Sequence, residues 1–200
     1  VVLINAAFYP DVLAEKLLQP IDTSMVVNFA DVAPDFAAND SLNVGGSLYG
    51  VPWTWGLTSI AINSSTIKET PTSINVMWDE AYKGRVSIRD DAVEAVQLAA
   101  LATGQSINNI EDLNAIKAKL SALMPQIRTF WGSENDWNQF MAAGDLDVAS
   151  YWSGSASRSA AAGLPVQFVV PQEGAIGWLD GLAVPASSEK VDAAHAFINW

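Results

Sequence analysis

Val86-Ser87-Ile88 runs into Asp90-Asp91-Ala92-Val93-Glu94, and Ala92 to Thr103 continues as an almost wholly apolar stretch closed by Gly104. The first three residues predict a short strand, and the apolar stretch predicts a helix buried on nearly all sides. Gly104 supplies the stop, since glycine takes the left-handed conformation that ends helices. The same strand-then-helix order recurs on either side. Ile110, Leu113, Ile116, Leu120 and Leu123 share one face and predict an amphipathic helix over 110–124. Residues 135–143 predict another, ended by Gly144; 148–152 read as a strand, 155–162 as a helix and 166–170 as a strand. Residues 175–184 read as extended and 191 onward as helical. On the N-terminal side, 49–63 reads as extended with a bend at Gly56, and 22–47 as turns around Pro34, Asn39-Asp40 and Gly45-Gly46. Val12, Leu13, Leu17 and Leu18 predict a helix over 9–18 that Pro20 stops, and Val1 to Asn5 reads as a buried strand. Alternating strands and helices predict an α/β architecture, with no internal repeat and no low-complexity linker.

Half of the 200 residues are hydrophobic, enough for a sizeable core in one large domain or two small ones. Twenty-two acidic residues against 10 basic ones leave a net charge of -12, which argues against nucleic acid and anionic membranes as partners. With no cysteine, disulfides, thiolate metal sites and cysteine nucleophiles are excluded. No apolar run approaches the ~18 residues of a membrane span. The strand-like opening and the helical end at Phe197-Ile198-Asn199-Trp200 read as an internal piece of a longer protein, whose signal peptide would belong to the missing N-terminus.

His195 is the one histidine, set in a helical stretch with Ala194, Ala196 and Phe197, and no Ser-His-Asp set forms around it. HExxH, Walker A and GxGxxG motifs are missing, so redox and zinc chemistry are not expected: no catalytic residue, no metal ligand, no cofactor. Aromatic and acidic residues are what stand out, with eight Trp in the chain. Trp53, Trp55 and Trp78 read as core or hinge packing. Asp91 and Glu94 lie three apart at the start of a helix, so both carboxylates project from its first turn. Two readings stay open there: a capping box, or a pair of acceptors for a cation. Trp178 and Asp180, two apart in extended chain, share a face, and a ring beside a carboxylate suits an alkylammonium ligand. Ser150-Tyr151-Trp152-Ser153-Gly154-Ser155 lies where a strand enters a helix, the end of an open sheet at which ligands bind. For Trp152 and Trp178, core packing is the competing reading.

Several motifs, in order along nearly the whole chain, resemble one family. They are Tyr49-Gly50-Val51-Pro52-Trp53-Thr54-Trp55-Gly56, Trp78 with Tyr82-Lys83-Gly84-Arg85, and Asp90-Asp91 with Glu94. Further on come Trp152 opening W-x-G-S-A, Pro171 to Asp180, Leu182-Ala183-Val184-Pro185, and Ala194 to Asn199. The chain is identified on these as a member of the solute-binding proteins of bacterial spermidine/putrescine ABC importers. The resemblance implies a two-lobed type II periplasmic binding protein fold, here an incomplete fragment. Residues 1–52 and 179–200 would form one lobe, 57–175 the other, and 53–56 and 176–178 the crossings. It implies ligand acids at Asp91, Glu94 and Asp180, aromatic walls at Trp152 and Trp178, and a polar contact at Asn5. At the aromatic position two residues after Asn5 this chain carries Ala7, followed by Phe8. Ser155, where some putrescine-preferring relatives carry Asp, leans toward spermidine-type ligands.

On that resemblance the expected partners are a polyamine held in a cleft between the lobes and a membrane permease. The protein is expected to be a monomer, periplasmic or lipid-anchored outside the membrane, and not an enzyme. Another small solute, such as an opine or an amino acid derivative, is the alternative within transport. Paired carboxylates beside Trp also fit a glycosidase.

Overall fold

In a computed structural model that describes residues 1–200, the regular elements follow in this order. They are β1 (Val2–Asn5), α1 (Tyr9–Ala14), β2 (Leu18–Gln19), α2 (Pro34–Ala37), β3 (Asn43–Val44), β4 (Ser47–Leu48) and β5 (Val51–Asn63). Next come β6 (Val86–Arg89), α3 (Ala92–Ala102), α4 (Leu113–Leu123), β7 (Ile127–Trp131), α5 (Glu134–Ala142) and β8 (Val148–Trp152). The last are α6 (Ser153–Ala161), β9 (Val166–Val169), β10 (Ile176–Pro185) and α7 (Val191–Asn199). The chain divides into two compact units, Val1–Trp55 with Trp178–Trp200, and Gly56–Gly177.

In the first unit β1 lies antiparallel to β10, with Val2 opposite Ala183 and Asn5 opposite Asp180. Strand β2 pairs farther along β10, with Leu18 opposite Pro185. The core gathers Tyr9, Ile21, Leu42, Leu48, Leu179 and Val184. Strand β1 is not buried as its apolar sequence suggests: Val2 and Leu3 are exposed. Helix α1 ends at Ala14, short of the expected Leu18, because Lys16 takes a left-handed φ of 53° and turns the chain into β2. Trp53 and Trp55 are 63% and 59% exposed and so are not core residues; Trp55 lies 5.5 Å from Phe36, centroid to centroid. His195 is a buried strut. Its Nε2 accepts the Asp22 N–H at 2.9 Å, and Nδ1, 2.8 Å from the Val191 carbonyl, donates to it.

Tyr9 accounts for two glycines. A Cβ on Gly50 would lie 2.1 Å from the Tyr9 hydroxyl, and one on Gly181 2.6 Å from it. The buried hydroxyl has no hydrogen-bond partner. Burial first, and then the negative charge of Asp180, push it far above the ordinary tyrosine range, so it stays a neutral phenol.

In the second unit β5 pairs antiparallel with both β8 and β9, while β6 runs parallel to β7 and β8. The strand order is therefore β9-β5-β8-β6-β7. Alternate residues of one strand enter different clusters, Ile60 and Ile62 against Ala61 on β5, and Val148 against Ala149 and Tyr151 on β8. Both faces of this sheet are thus covered, as parallel strands require. Helix α4 buries Ile116 and Leu123, but Leu113, expected on the same inward face, is exposed at its first turn. The Trp78 indole donates to the Lys119 carbonyl at 2.9 Å, tying the segment before β6 to α4.

Strand β7 has no clear signature in sequence, since polar Arg128 and Thr129 interrupt its apolar residues and apolar Phe130 faces out. It nonetheless completes one edge of the sheet. Because β6, β7 and β8 are parallel, their C-terminal ends lie on one side of the sheet, and α3, α5 and α6 start there within a few residues. That is the side of an open α/β sheet at which ligands bind.

Candidate functional site

At the end of β6 the chain turns through Asp90 into α3. Asp91 caps that helix: its Oδ1 accepts the Glu94 N–H at 3.0 Å. The reciprocal half of a capping box is not made, since the Asp91 N–H goes to the Arg89 carbonyl at 2.9 Å. Glu94 is free for another task. Its carboxyl turns inward, where Ser150 Oγ donates to Oε1 at 3.0 Å and Arg89 Nη1 stands 3.8 Å from Oε2. The same guanidinium nitrogen lies 3.3 Å from Asp91 Oδ2.

Glu94 has only 8% of its side chain exposed. Burial pushes its carboxyl up to about 7, against the opposing effects of the Ser150 hydrogen bond and the Arg89 charge, while Asp91 pushes the same way as burial. The Arg89 contact is too long to offset the lost hydration. Glu94 therefore sits near half-ionisation at neutral pH, and a closer cation would complete its ionisation.

Trp152, the last residue of β8, closes the other side. The Arg89 guanidinium carbon lies 5.1 Å from the centre of its ring, within the range of a cation–π contact. Behind it the wholly buried Trp131 packs edge-on, with centroids 5.0 Å apart and planes at 79°. Trp131 thus fixes the Trp152 ring without itself reaching solvent. Two acids and one indole, expected from sequence, are brought together here around a cation that sequence reading missed. The available signal for Arg89 was its place at a strand end directly before two acids.

Ser155 is buried and committed to its own neighbours. It donates to Glu134 Oε2 at 2.7 Å, and Arg158 Nη2 reaches the same carboxylate oxygen at 2.7 Å. The Arg158 hydrogen bond, more than any other cause, lowers the Glu134 carboxyl below the ordinary range.

The first unit carries a smaller set on β10 and β1. Trp178 and Asp180 share a strand face, while Leu179 between them is buried. Asn5, opposite Asp180 in the ladder, donates from Nδ2 to Asp180 Oδ1 at 2.8 Å. The Asn5 Oδ1 accepts the Ala7 N–H at 3.1 Å. With both ends of its amide engaged, Asn5 orients the Asp180 carboxylate and leaves the second carboxylate oxygen for other donors. The Trp178 indole N–H is buried without a partner. Phe8, next to Ala7, is 52% exposed.

No group of three or more His, Asp or Glu residues could hold a metal ion. No helix is long and apolar enough to cross a membrane.

Residues 1–200 match the family model described as bacterial extracellular solute-binding protein. The spermidine/putrescine-binding periplasmic protein of Escherichia coli K12 is 33% identical over 201 residues, an overlap of 98% of this chain and 57% of that protein. The structure of a spermidine/putrescine ABC transporter substrate-binding protein from Streptococcus pneumoniae, in complex with calcium and HEPES, superposes with a TM-score of 0.81 at 26% identity. It is matched over 98% of this chain and 60% of that one. A putative spermidine/putrescine ABC transporter protein from Listeria monocytogenes gives 0.86 at 25% identity, over 98% and 61%. The chain thus spans somewhat over half the length of these relatives, and both solved structures share its mixed α/β fold. The motifs read along the sequence and the match from first residue to last agree: this chain belongs to the bacterial extracellular solute-binding protein family.

Proposed function

We propose that the protein is the substrate-binding component of an ABC importer, that it captures a polyamine outside the cytoplasmic membrane, and that it delivers it to a permease. The observation that carries this reading is the pairing of carboxylate with indole in each unit. Asp91 and Glu94 accompany Trp152 in one, and Asp180 shares a strand face with Trp178 in the other. An alkylammonium needs both parts. Its N–H groups require anionic acceptors once removed from water, and its methylenes gain roughly 25 cal/mol for each Å² covered by an apolar wall. Its positive charge is also attracted to the indole face. The names of the relatives support the same ligand class. Capture and release need no bond to be made or broken, which fits a site without a nucleophile–base pair.

Arg89 favours a second reading, in which its guanidinium meets the carboxylate of a zwitterionic solute such as an opine or amino acid derivative. Titration calorimetry on the intact protein separates the two. Spermidine and putrescine are expected to bind, while acetylated diamines, simple amino acids and sugars give no heat. Binding of amino-carboxylates without binding of polyamines would replace the first reading by the second.

A further inference from the structure

The turn that we read as an ammonium site already holds a cation. Arg89 is the last residue of β6, and its backbone is fixed there: its N–H donates to Ser150 Oγ at 3.1 Å. Its side chain turns back over the site. Nη1 lies 3.3 Å from Asp91 Oδ2 and 3.8 Å from Glu94 Oε2, and the guanidinium carbon lies 5.1 Å from the Trp152 ring centre. These three groups are the ones an alkylammonium would use. The Arg89 side chain is 37% exposed, so solvent lies open to it and it can swing out without disturbing a core.

We propose that Arg89 is a tethered cation that occupies the ammonium position between Asp91, Glu94 and Trp152 while no solute is bound, and that an incoming alkylammonium must displace it. The inference rests on the reading of this turn as a cation site and adds a competitor built into the chain. The tether has two consequences. It compensates Asp91, and Glu94 only in part, in the empty protein. It also subtracts from ligand affinity, because the ligand's gain at this position is reduced by the contacts that Arg89 gives up. The loss is the same for every solute that displaces Arg89, so it lowers all their affinities alike and leaves their ranking to the contacts each makes elsewhere.

The test is Arg89→Ala, with Arg89→Lys beside it, titrated with spermidine at about pH 8, where Glu94 is largely ionised. Cation–π and partly exposed ion-pair contacts of this kind set the scale of the effect. Arg89→Ala is expected to bind spermidine about fivefold to a hundredfold tighter than wild type, with Arg89→Lys between the two. Equal or weaker binding by Arg89→Ala overturns the proposal and assigns Arg89 to the contacts that hold the ligand. Absence of spermidine binding in wild type and both variants would instead refute the polyamine reading. A second measurement needs no polyamine. Methylguanidinium, the severed head of the arginine, should shift Trp fluorescence of Arg89→Ala in a saturable manner, and should fail to do so in Arg89→Ala with Trp152→Leu. A response that survives the second substitution would place the guanidinium elsewhere and overturn the proposal independently.

Discussion

Acidifying the solution from about pH 8 to about pH 5.5 should weaken cation binding through a single carboxyl, that of Glu94. Burial raises it to about 7, and a bound ammonium requires it ionised. Alkylammonium groups keep their charge throughout this range, so the protein supplies the pH dependence. With the group at about 7, the ionised fraction is about 0.9 at the upper pH and about 0.03 at the lower. Apparent affinity should therefore fall roughly 30-fold, about 2 kcal/mol, with a limiting slope of about tenfold per pH unit below neutrality. Binding at about pH 7 should release about half a proton, read by calorimetry in buffers of different ionisation heat. In the ligand-free protein the sign is opposite. A carboxyl raised above its ordinary 4.5 binds more protons folded than unfolded. Its stabilising effect is complete below about 4.5 and is lost as pH rises through about 7, by roughly 3 kcal/mol. Arg89 and Asp91 are the charged groups that face Glu94, and Ser150 is its hydrogen-bond donor. Glu94→Gln should abolish both the proton release and most of the slope. Affinity that stays flat from about pH 5.5 to 8, or a slope unchanged in Glu94→Gln, would show that Glu94 does not carry the pH dependence.

Asp180→Asn should cost about 2–5 kcal/mol of polyamine binding, the scale for truncating a buried charge pair. Asn5→Ala, which frees the carboxylate without removing it, should cost less, about 0.5–1.5 kcal/mol; calorimetry ranks the two, and a larger loss in Asn5→Ala would contradict its orienting role. Spermidine should change intrinsic Trp fluorescence in step with the binding curve, and most of the change should vanish in a Trp152→Leu, Trp178→Leu double variant; a full response retained there would make both residues core packing. Gly181→Ala should lower stability by about 1–3 kcal/mol, and Tyr9→Phe should rescue it, because without the hydroxyl the nearest atoms stand 3.3 and 3.4 Å away. Gly50→Ala should resist the same rescue, since the Tyr9 ring carbons remain at 2.6 and 2.8 Å. Thermal melts of the single and paired variants decide this, and a rescue of Gly50→Ala would undo the assignment of the clash to the ring.

Acid and aromatic positions were legible in the sequence because local spacing determines them. Asp91 and Glu94 fall on one helical turn at a separation of three, and Trp178 and Asp180 on one strand face at a separation of two, whatever the rest of the chain does. The alternation of elements was legible for the same reason, since the periods of strand and helix are short-range patterns. Where those patterns are interrupted the reading lapsed, as at β7, where polar Arg128 and Thr129 break the run. It also erred where solvent decides, since apolar β1 is exposed, and the exposed rings of Trp53 and Trp55 exclude the core half of their reading. Only tertiary structure could decide what each acid does. Both acids of a capping box are alike in sequence at Asp91 and Glu94. They differ in the fold because Ser150, 56 residues on from Glu94, comes alongside through the parallel pairing of β6 with β8 and takes up the Glu94 carboxyl. Burial at that junction then raises that carboxyl. The same pairing lays Arg89 over Trp152, a contact between residues far apart in the chain. Spacing determines which groups share a face; strand pairing and the water it excludes determine which of them meet and what charge they carry.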